Sequence, residues 1–233
     1  DHISTLLFTP TENCTKNLKK EGIGKNRIHQ AGDTMYDALL QQLPKAERTS
    51  ILRHLDLKPN NYALLTAHRP ENVDNPENLG NILNAVARLD QLTVVFPVHP
   101  RTRKQLQTFG LNSRIKRKRH LKLVNPLGYH ETLNLVKNAG FILTDSGGMQ
   151  KEAFWLKTPC ITLRTNTEWV ETLQLGANYL AGTDPAKITA KAVELIEHGE
   201  VIRKGLQNVP NPFGDGRASK RIAEVLEAQR RLC

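Results

Sequence analysis

Short apolar runs alternate with helical stretches through most of this chain, from about residue 46 onward. Short, continuously apolar strands between helices are typical of a parallel sheet that is covered on both faces. The predicted strands are 62–66, 93–98, 121–124, 141–144, 160–163 and 179–181. The predicted helices are 79–89, 102–108, 130–137, 151–156, 169–175 and 218–230. We therefore predict an α/β fold with a Rossmann-like parallel sheet and helices on both of its faces.

The first 45 residues do not fit this alternation. They contain two short apolar runs and two capped helical stretches, which supply too little core to stand alone. We interpret residues 1–45 as the tail of a truncated N-terminal Rossmann-like domain and a linker. Residues 46–216 are predicted to form one C-terminal ligand-binding domain. Residues 217–233 are predicted to form a helix that packs back toward the N-terminal domain.

A small polar turn follows the strand predicted at 141–144, and a helix-compatible segment follows the turn. The amides and the dipole of a helix N-terminus attract anions, and glycine leaves room for a close approach. We predict that Ser146, Gly147 and Gly148 bind a phosphate or diphosphate. Further along the helix, the carboxylate of Glu152 is expected to accept hydrogen bonds from a ribose diol. An ordinary strand-to-helix turn is the alternative.

Polar side chains also follow the other predicted strands, whose carboxyl ends meet at one edge of a parallel sheet. His68 and Arg69 come directly after the strand at 62–66. A guanidinium suits phosphate oxygens, and an imidazolium can protonate a leaving oxygen. We predict a catalytic role for His68 and a ligand-binding role for Arg69, with loop capping by His68 as the alternative. Glu71 and Glu168 are interpreted as loop or helix-cap residues.

Several motifs of other protein classes are missing. The sequence contains no Gly-x-Gly-x-x-Gly after its first predicted strand of the sheet, no Gly-Lys-Ser/Thr phosphate loop and no Gly-x-Ser-x-Gly nucleophile elbow. The formal net charge is +10, and part of the excess lies in the basic run 114–120. No aromatic residues interleave with that run, so it favours a solvated segment over a nucleic-acid site. A nucleic-acid-binding module is the non-enzymatic alternative.

Cysteine usage and hydropathy bear on location. Cys14, Cys160 and Cys233 are scattered, without metal-ligand spacing, which is typical of a reducing compartment. No signal peptide is visible, and no apolar run approaches the roughly 20 residues that span a bilayer. We therefore predict a cytoplasmic protein with no membrane partner.

Three longer motifs occur at the predicted strand ends and near the C-terminus. They read Thr-Ala-His-Arg-Pro-Glu-Asn at 66–72, Thr-Asp-Ser-Gly-Gly-Met-Gln-Lys-Glu at 144–152 and Asn-Pro-Phe-Gly-Asp-Gly at 211–216. Together they resemble the non-hydrolysing UDP-N-acetylglucosamine 2-epimerase family, over essentially the whole chain. The resemblance implies the C-terminal half of a glycosyltransferase-B-type two-domain fold, with UDP between two Rossmann-like halves.

The resemblance also implies a reaction. UDP-N-acetylglucosamine would be converted to UDP-N-acetylmannosamine by elimination and re-addition of UDP, for surface polysaccharide precursors. His68 and Arg69 would neutralise the diphosphate, and the loop with Leu127 and Thr132 would line the base. The family's N-terminal acid–base carboxylates are not found in this sequence, so we expect these residues to supply the UDP-binding half and to be inactive alone. A homodimer, a UDP-sugar as ligand and no metal or other cofactor are implied.

One departure from the family affects a diphosphate or sugar contact, and a second resemblance leaves the substrate open. Trp169 and Val170 stand where many relatives of the family have Arg-Pro. The segments 32–37 and 99–102 also resemble a branch that acts on UDP-2,3-diacetamido-uronic acids. The alternatives are therefore a UDP-2,3-diacetamido-uronic acid 2-epimerase or a glycosyltransferase-B donor-binding domain.

Overall fold

A computed structural model describes residues 1–112, 115 and 118–230 of the chain. The chain divides into two compact units, Asp1–Pro44 with Pro210–Cys233, and Lys45–Val209. Residues 210–216 therefore group with the opening segment and not with the domain predicted at 46–216. One cause is a main-chain hydrogen bond in which the Asp33 N–H donates to the Phe213 carbonyl at 2.8 Å. The basic run at 114–120 lies partly outside the described residues.

Strands and helices alternate along the described chain. The strands are β1 (Leu7–Thr9), β2 (Ile28–Gln30), β3 (Tyr62–Thr66), β4 (Thr93–Pro97), β5 (Leu121–Val124), β6 (Phe141–Thr144), β7 (Cys160–Thr162) and β8 (Asn178–Leu180). The helices are α1 (Glu12–Lys20), α2 (Thr34–Glu47), α3 (Ile51–His54), α4 (Pro70–Val73), α5 (Pro76–Val86), α6 (Pro100–Thr108), α7 (Tyr129–Asn138), α8 (Gly147–Trp155), α9 (Val170–Gln174), α10 (Pro185–Gln207) and α11 (Ala218–Arg230). None of these described helices has the length and apolar character needed to cross a bilayer.

The first unit is built on two short parallel strands. β1 pairs with β2, with Leu7 opposite Ile28. Helix α1 connects them and begins at Thr11, whose hydroxyl accepts a hydrogen bond from the Cys14 N–H at 3.3 Å. The C-terminal helix α11 belongs to this unit, and the Asp37 carboxylate accepts hydrogen bonds from the first two amides of that helix. A small core fills the unit's interior and contains Leu7, Leu18 and Ile23.

The second unit contains a parallel sheet of six described strands in the order β5-β4-β3-β6-β7-β8. β3, β5 and β6 have the predicted bounds, β4 and β7 end one residue earlier than predicted, and β8 is shifted by one residue toward the N-terminus. Side chains alternate between the two faces of the sheet. Ala63 and Leu65 pack in one buried cluster with residues of α5 and α10. The first residue of β3, Tyr62, instead donates from its hydroxyl to the carbonyl of Leu135 in α7 at 2.6 Å. The sheet is therefore covered on both faces, which confirms the predicted fold class.

Several helices differ from the predicted pattern, among them α8 and α10. α8 begins at Gly147, because the Ser146 hydroxyl caps it by accepting from the Met149 N–H at 3.4 Å. The glycines thus belong to the first turn of the helix. α10 was not predicted, although Asp184 caps it and Pro185 occupies its first turn, and both are helix-start signals.

Candidate functional site

The order of strands reverses between β3 and β6, which are neighbours in the sheet. The last residues of these strands, Thr66 and Thr144, lie side by side, with their hydroxyl oxygens 2.6 Å apart. Ligands of open parallel sheets bind at the carboxyl ends of the strands, at such a switch point. The loops after β3 and β6 therefore flank the candidate site.

Asp145 joins these two loops. Its carboxylate is fully buried and accepts hydrogen bonds from the backbone N–H of His68 at 3.0 Å and of Arg69 at 2.9 Å. The Asn72 side-chain amide donates to the same carboxylate at 3.2 Å and to the Leu163 carbonyl at 2.9 Å. The Nδ1 atom of His68 lies 3.3 Å from a carboxylate oxygen of Asp145. One buried carboxylate thus fixes the main chain of the His68 loop and orients the imidazole ring.

Helix α6 fixes a second histidine, His99, next to the first. The Nδ1 atom of His99 accepts a hydrogen bond from the Arg101 N–H at 3.2 Å. The Arg101 guanidinium forms a hydrogen-bonded ion pair with Asp74, which lowers the pKa of that carboxyl to about 2. The Thr102 hydroxyl donates to the Ala67 carbonyl at 2.6 Å. The loops after β3 and β4 are therefore bonded to one another.

Four of the predicted site residues meet in one cavity of about 190 Å³, which we call the His68 cavity. The His68 ring lies against the His99 ring, with 5.8 Å between the ring centroids. Pro97, Pro126 and Met149 add apolar surface to the same cavity. The predicted residues that line it are His68, Leu127, Thr132 and Ser146.

Arg69 lines a different cavity of about 290 Å³, which we call the Arg69 cavity. It shares this cavity with Asn72, Asn78 and Arg164, and the residues that line it are distinct from those of the His68 cavity. The Arg69 guanidinium lies 3.7 Å from the Glu168 carboxylate. The neighbours His68 and Arg69 therefore face two separate cavities, although the sequence motif places them together.

The glycines at the start of α8 lie against the loop that follows β7. A Cβ atom on Gly147 would lie 3.2 Å from the indole nitrogen of Trp169 and 3.5 Å from a carboxylate oxygen of Glu168. This close approach explains why glycine occupies position 147, since a side chain there would crowd both Trp169 and Glu168. The ammonium of Lys151 lies 4.1 Å from the centroid of the Trp169 ring, in a cation–π contact. Gly148, the other predicted glycine, is part of the same first turn.

Glu152 is a buried carboxyl in the same helix, with 6% of its surface exposed. Burial raises the pKa of Glu152 to about 7, against the opposing effects of a hydrogen bond from Tyr129 and the charge of Lys151. Burial also raises the pKa of the Tyr129 phenol to about 12, and the charge of Glu152 adds to the effect. The Glu152 carboxyl therefore changes close to neutral pH from a protonated group, which can donate a hydrogen bond, to a carboxylate, which only accepts hydrogen bonds. A ligand hydroxyl could replace Tyr129 as its hydrogen-bond donor.

Metal-ligand clusters and thiols do not add to the site. Among the described residues, no group of three or more His, Cys, Asp or Glu side chains is arranged to hold a metal ion. Cys14 and Cys160 are free thiols, and burial raises the pKa of Cys160 to about 12. Cys233 lies outside the described residues.

The sequence matches one protein family over nearly its whole length. Residues 1–227 match the sequence profile of the family described as UDP-N-acetylglucosamine 2-epimerase. The chain belongs to the UDP-N-acetylglucosamine 2-epimerase family. The family that the three motifs predicted is thereby confirmed.

Members of the UDP-N-acetylglucosamine 2-epimerase family match the chain in sequence and in structure. A Methanococcus maripaludis relative, named UDP-N-acetylglucosamine 2-epimerase homolog, is 47% identical over 228 residues, which are 97% of this chain and 61% of the relative. The Pseudomonas aeruginosa UDP-2,3-diacetamido-2,3-dideoxy-D-glucuronate 2-epimerase is 37% identical over 97% of this chain and 60% of its own length.

A solved structure of a family member also matches the chain. The crystal structure of Methanocaldococcus jannaschii UDP-GlcNAc 2-epimerase in complex with UDP-GlcNAc and UDP matches with a TM-score of 0.86 and 44% identity, over 98% of this chain and 62% of that one. The predicted glycosyltransferase-B-type fold class is confirmed by this match. The chain spans about three fifths of the length of these relatives.

Two residues at the site carry no predicted role, Asp145 and Arg164. The signal for Asp145 is its place, an acidic residue directly after a buried apolar strand. Arg164 likewise follows the apolar run of β7. The partners of Asp145 come from a distant part of the sequence, because it accepts from amides 77 and 76 residues away. Arg164, in contrast, donates to Glu168, four residues further along the chain. Sequence position alone does not identify such distant partners as those of Asp145.

Proposed function

We propose that the intact protein is a UDP-sugar 2-epimerase that interconverts UDP-N-acetylglucosamine and UDP-N-acetylmannosamine for surface polysaccharide precursors. The observation that carries the proposal is the convergence of His68 and Ser146 on one cavity at the switch point of the sheet. Support also comes from the related Methanocaldococcus jannaschii enzyme, whose structure contains UDP-GlcNAc and UDP. In this proposal the present residues bind the UDP moiety, and the family's N-terminal carboxylates act on the sugar.

The reaction is an elimination followed by an addition. A base removes the proton at sugar C2 while the bond from C1 to the diphosphate oxygen breaks, and its electron pair leaves with UDP. The sugar becomes a glycal. UDP then adds back to C1, and a proton returns to the opposite face of C2. The chain's task in both steps is to stabilise the negative charge that develops on the diphosphate.

His68 is the residue that we assign to the leaving diphosphate. Its Nδ1 atom faces the acceptor-only carboxylate of Asp145, so that nitrogen carries a proton. In the imidazolium form the Nε2–H can then donate a hydrogen bond, or its proton, to a diphosphate oxygen. The amides of Gly147 and Gly148, with the Ser146 hydroxyl, bind phosphate oxygens at the N-terminus of α8.

The nucleoside is assigned to the other end of α8. The Glu152 carboxylate accepts hydrogen bonds from the ribose diol and exchanges its contact with Tyr129 for the ligand. Leu127 and Thr132 line the His68 cavity and contact the base in this proposal. The assignment needs no group beyond the side chains and main-chain amides of this chain.

A UDP-2,3-diacetamido-uronic acid is the second candidate substrate. The observation that favours it is the 37% identity to the Pseudomonas aeruginosa enzyme that acts on such a compound. Both substrates share the UDP moiety, so the assignments in the His68 cavity are the same for both. A homodimer, a cytoplasmic location and the absence of nucleic-acid binding remain part of the proposal; the free thiols Cys14 and Cys160 support the location.

The test is deuterium exchange at C2. The full-length protein is incubated with UDP-N-acetylglucosamine in deuterated water, and proton NMR follows the C2 signal and the appearance of the manno product. We expect exchange, and we expect His68→Asn to slow it roughly 100-fold or more, because the leaving diphosphate loses a proton donor. His198→Asn is the matched control, since His198 is an exposed residue of α10.

The alternatives give other results. A glycosyltransferase donor domain would bind UDP-N-acetylglucosamine without exchange at C2, and that outcome would overturn the proposal. A nucleic-acid-binding module would bind DNA or RNA with an affinity that falls steeply with salt concentration. Turnover of the diacetamido-uronic acid alone would replace the first substrate with the second.

A further inference from the structure

Glu168 pairs with Arg69 and Arg164, the two arginines that line the Arg69 cavity. Both of its carboxylate oxygens accept hydrogen bonds from the Arg164 guanidinium, at 3.0 and 2.9 Å. The Arg69 guanidinium approaches the same carboxylate at 3.7 Å. The exposed fraction is 47% for the Glu168 side chain, 33% for that of Arg69 and 18% for that of Arg164. The Glu168 side chain is therefore the most accessible of the three.

Two asparagine amides of the Arg69 cavity are used by the protein itself. The Asn72 amide donates to Asp145 and Leu163, and the Asn78 amide donates to the Glu71 carbonyl at 2.9 Å. By contrast, the guanidinium of Arg69 forms no hydrogen bond with any described residue. Arg69 and Arg164 are the cations among the residues that line this cavity. The positive charge of the cavity is thus concentrated in two guanidinium groups, and the acidic Glu71 in the same lining opposes it.

A helix N-terminus adds to this positive potential. A Glu168 carboxylate oxygen lies 3.5 Å from the position that a Cβ atom would take on Gly147, in the first turn of α8. Guanidinium groups and the amides of a helix N-terminus are both well suited to bind phosphate oxygens. Here both surround a carboxylate of the protein, which carries a single negative charge. The arrangement has the chemistry of an oxyanion-binding site in which a carboxylate of the protein takes the place of the ligand.

We propose that Glu168 is an internal anion, which occupies the Arg69–Arg164 pair in the absence of ligand and is displaced by the phosphoryl oxygens of the ligand. The identity of that ligand, a nucleoside diphosphate sugar, rests on the proposed function. A diphosphate offers more charge and more acceptor oxygens than a carboxylate, so it displaces Glu168 where a monoanion does not. Glu168 thereby lowers the affinity for all anions and selects for highly charged ones. Arg164 becomes a ligand-binding residue of the subsite.

The charge on Glu168 is the quantity to change. In the full-length protein, Glu168→Gln keeps the shape of the side chain and removes its charge. We expect inorganic pyrophosphate and UDP to bind roughly three- to tenfold more tightly, because the ligand no longer competes with an internal carboxylate. Uridine, which has no phosphate, should bind as before. Isothermal titration calorimetry measures all three affinities.

The matched control is Glu194→Gln. Glu194 is exposed to a similar extent, 46%, and is paired with Lys191 on α10, so this variant makes the same change in net charge away from the subsite. Any increase in affinity that Glu194→Gln shares with Glu168→Gln is a general charge effect. Thermal unfolding of each variant confirms that it is folded.

Arg164→Gln separates displacement from a merely structural ion pair. If Glu168 and Arg164 only stabilise their loop, both variants weaken pyrophosphate binding. If the ligand displaces Glu168, the two variants change pyrophosphate affinity in opposite directions: binding is tighter in Glu168→Gln and weaker in Arg164→Gln. Weaker or unchanged binding in Glu168→Gln relative to Glu194→Gln would overturn the inference.

The two proposals fail in different ways. Normal C2 exchange and UDP binding, together with an unchanged affinity in Glu168→Gln, would remove the internal-anion role and leave the proposed function intact. Absence of C2 exchange and of uridine binding, with tighter pyrophosphate binding in Glu168→Gln, would leave an oxyanion subsite and remove the epimerase assignment.

Discussion

The amino and carboxyl edges of the six-stranded sheet differ in how polar side chains satisfy the main chain. At the amino edge, where the strands begin, the Tyr62 hydroxyl donates to the Leu135 carbonyl and the Arg203 guanidinium donates to the carbonyls of Lys137 and Ala139. At the carboxyl edge, carboxylates accept hydrogen bonds from main-chain amides, as Asp145 does. Side-chain donors satisfy carbonyls at both edges, since Thr102 and Asn72 do so at the carboxyl edge, but the carboxyl edge adds a carboxylate that satisfies loop amides.

The reason lies in the direction of the connections. In a parallel sheet with helical crossovers, helices end near the amino edge and begin near the carboxyl edge. A helix C-terminus leaves carbonyls without partners, and a helix N-terminus leaves amides without partners. Side-chain donors satisfy the free carbonyls of helix C-termini. The free amides of helix N-termini also attract anionic ligands. We therefore expect changes at the amino edge to alter stability alone, and changes at the carboxyl edge to alter ligand binding.

Among the substitutions that test this difference between the edges, Asp145→Asn should have the largest effect on stability and UDP binding. The substitution places an amide where a carboxylate accepts from His68, Arg69 and Asn72, so buried donors lose their partner. We expect the free energy of unfolding to fall by about 3 kcal/mol and UDP binding to be lost. Urea unfolding and calorimetry measure the two effects.

A matched control exists in Asp184→Asn. Asp184 is the N-cap of α10, and asparagine caps helices about as well as aspartate. This variant should change the free energy of unfolding by less than about 0.5 kcal/mol. A similar loss in both variants would show that the position of Asp145 at the carboxyl edge is not special.

Tyr62→Phe tests the amino edge. The variant removes a buried hydrogen bond of 2.6 Å and leaves the Leu135 carbonyl without that donor. We expect a loss of about 1–2 kcal/mol in the free energy of unfolding. UDP affinity should stay within about twofold of the wild-type value, since no ligand group is assigned to this edge. Tyr179→Phe, which removes an exposed bond to Gly176, is the control, and altered UDP affinity in Tyr62→Phe would contradict the division between the edges.

Glu152 predicts a pH dependence of nucleoside binding. Its pKa of about 7 means that the carboxylate acceptor forms as pH rises through neutrality. Uridine affinity should therefore rise roughly three- to tenfold between about pH 6 and 8 in the wild type, and stay flat in Glu152→Gln. Uridine is the better probe than UDP, because it has no phosphate that titrates in this range. A flat wild-type profile would remove Glu152 from the ribose site.

Stability should change in the opposite direction. The folded pKa of Glu152 lies above its ordinary value of 4.5, so its contribution to stability is complete below about pH 4.5 and is lost as pH rises through about 7. At pH 8, Glu152→Gln should therefore be more stable than the wild type by about 1–3 kcal/mol. Thermal or urea unfolding at pH 5 and pH 8 checks the sign.

Tyr129→Phe should have the smallest effect. The phenol donates a hydrogen bond that lowers the pKa of Glu152, against the larger effect of burial. Without this bond the midpoint of the uridine profile should move to higher pH, while affinity at high pH is retained. A midpoint that moves to lower pH would show that Tyr129 does not act through Glu152. Tyr36→Phe, in the first unit, serves as the control.

Much of the fold follows from the sequence, and the reason is local. β3 and β6 are continuous apolar runs bounded by polar or glycine residues, so their limits are visible. Helix α10 was missed because polar and charged side chains are spread along most of its length, and the signal lies only in its cap, Asp184 and Pro185. Local composition therefore decided which elements could be predicted.

The site divides in the same way. Ser146 and the two glycines were predicted because a strand end and a helix start adjoin in sequence. The separation of His68 and Arg69 into two cavities was not predicted, since it depends on how Asn72 and Asp145 meet in space. The contact between Glu168 and Gly147 likewise depends on the register of β6 and β7.

The loop after β3 is held from both sides before any ligand arrives. The Thr102 hydroxyl holds the Ala67 carbonyl, and the Asp145 carboxylate holds the next two amides, His68 and Arg69. Those amides should exchange with deuterated solvent far more slowly than is usual for a surface connection. The loop is therefore preorganised for a nucleotide, and its main chain loses little conformational entropy on binding. The association rate then depends mainly on diffusion and charge.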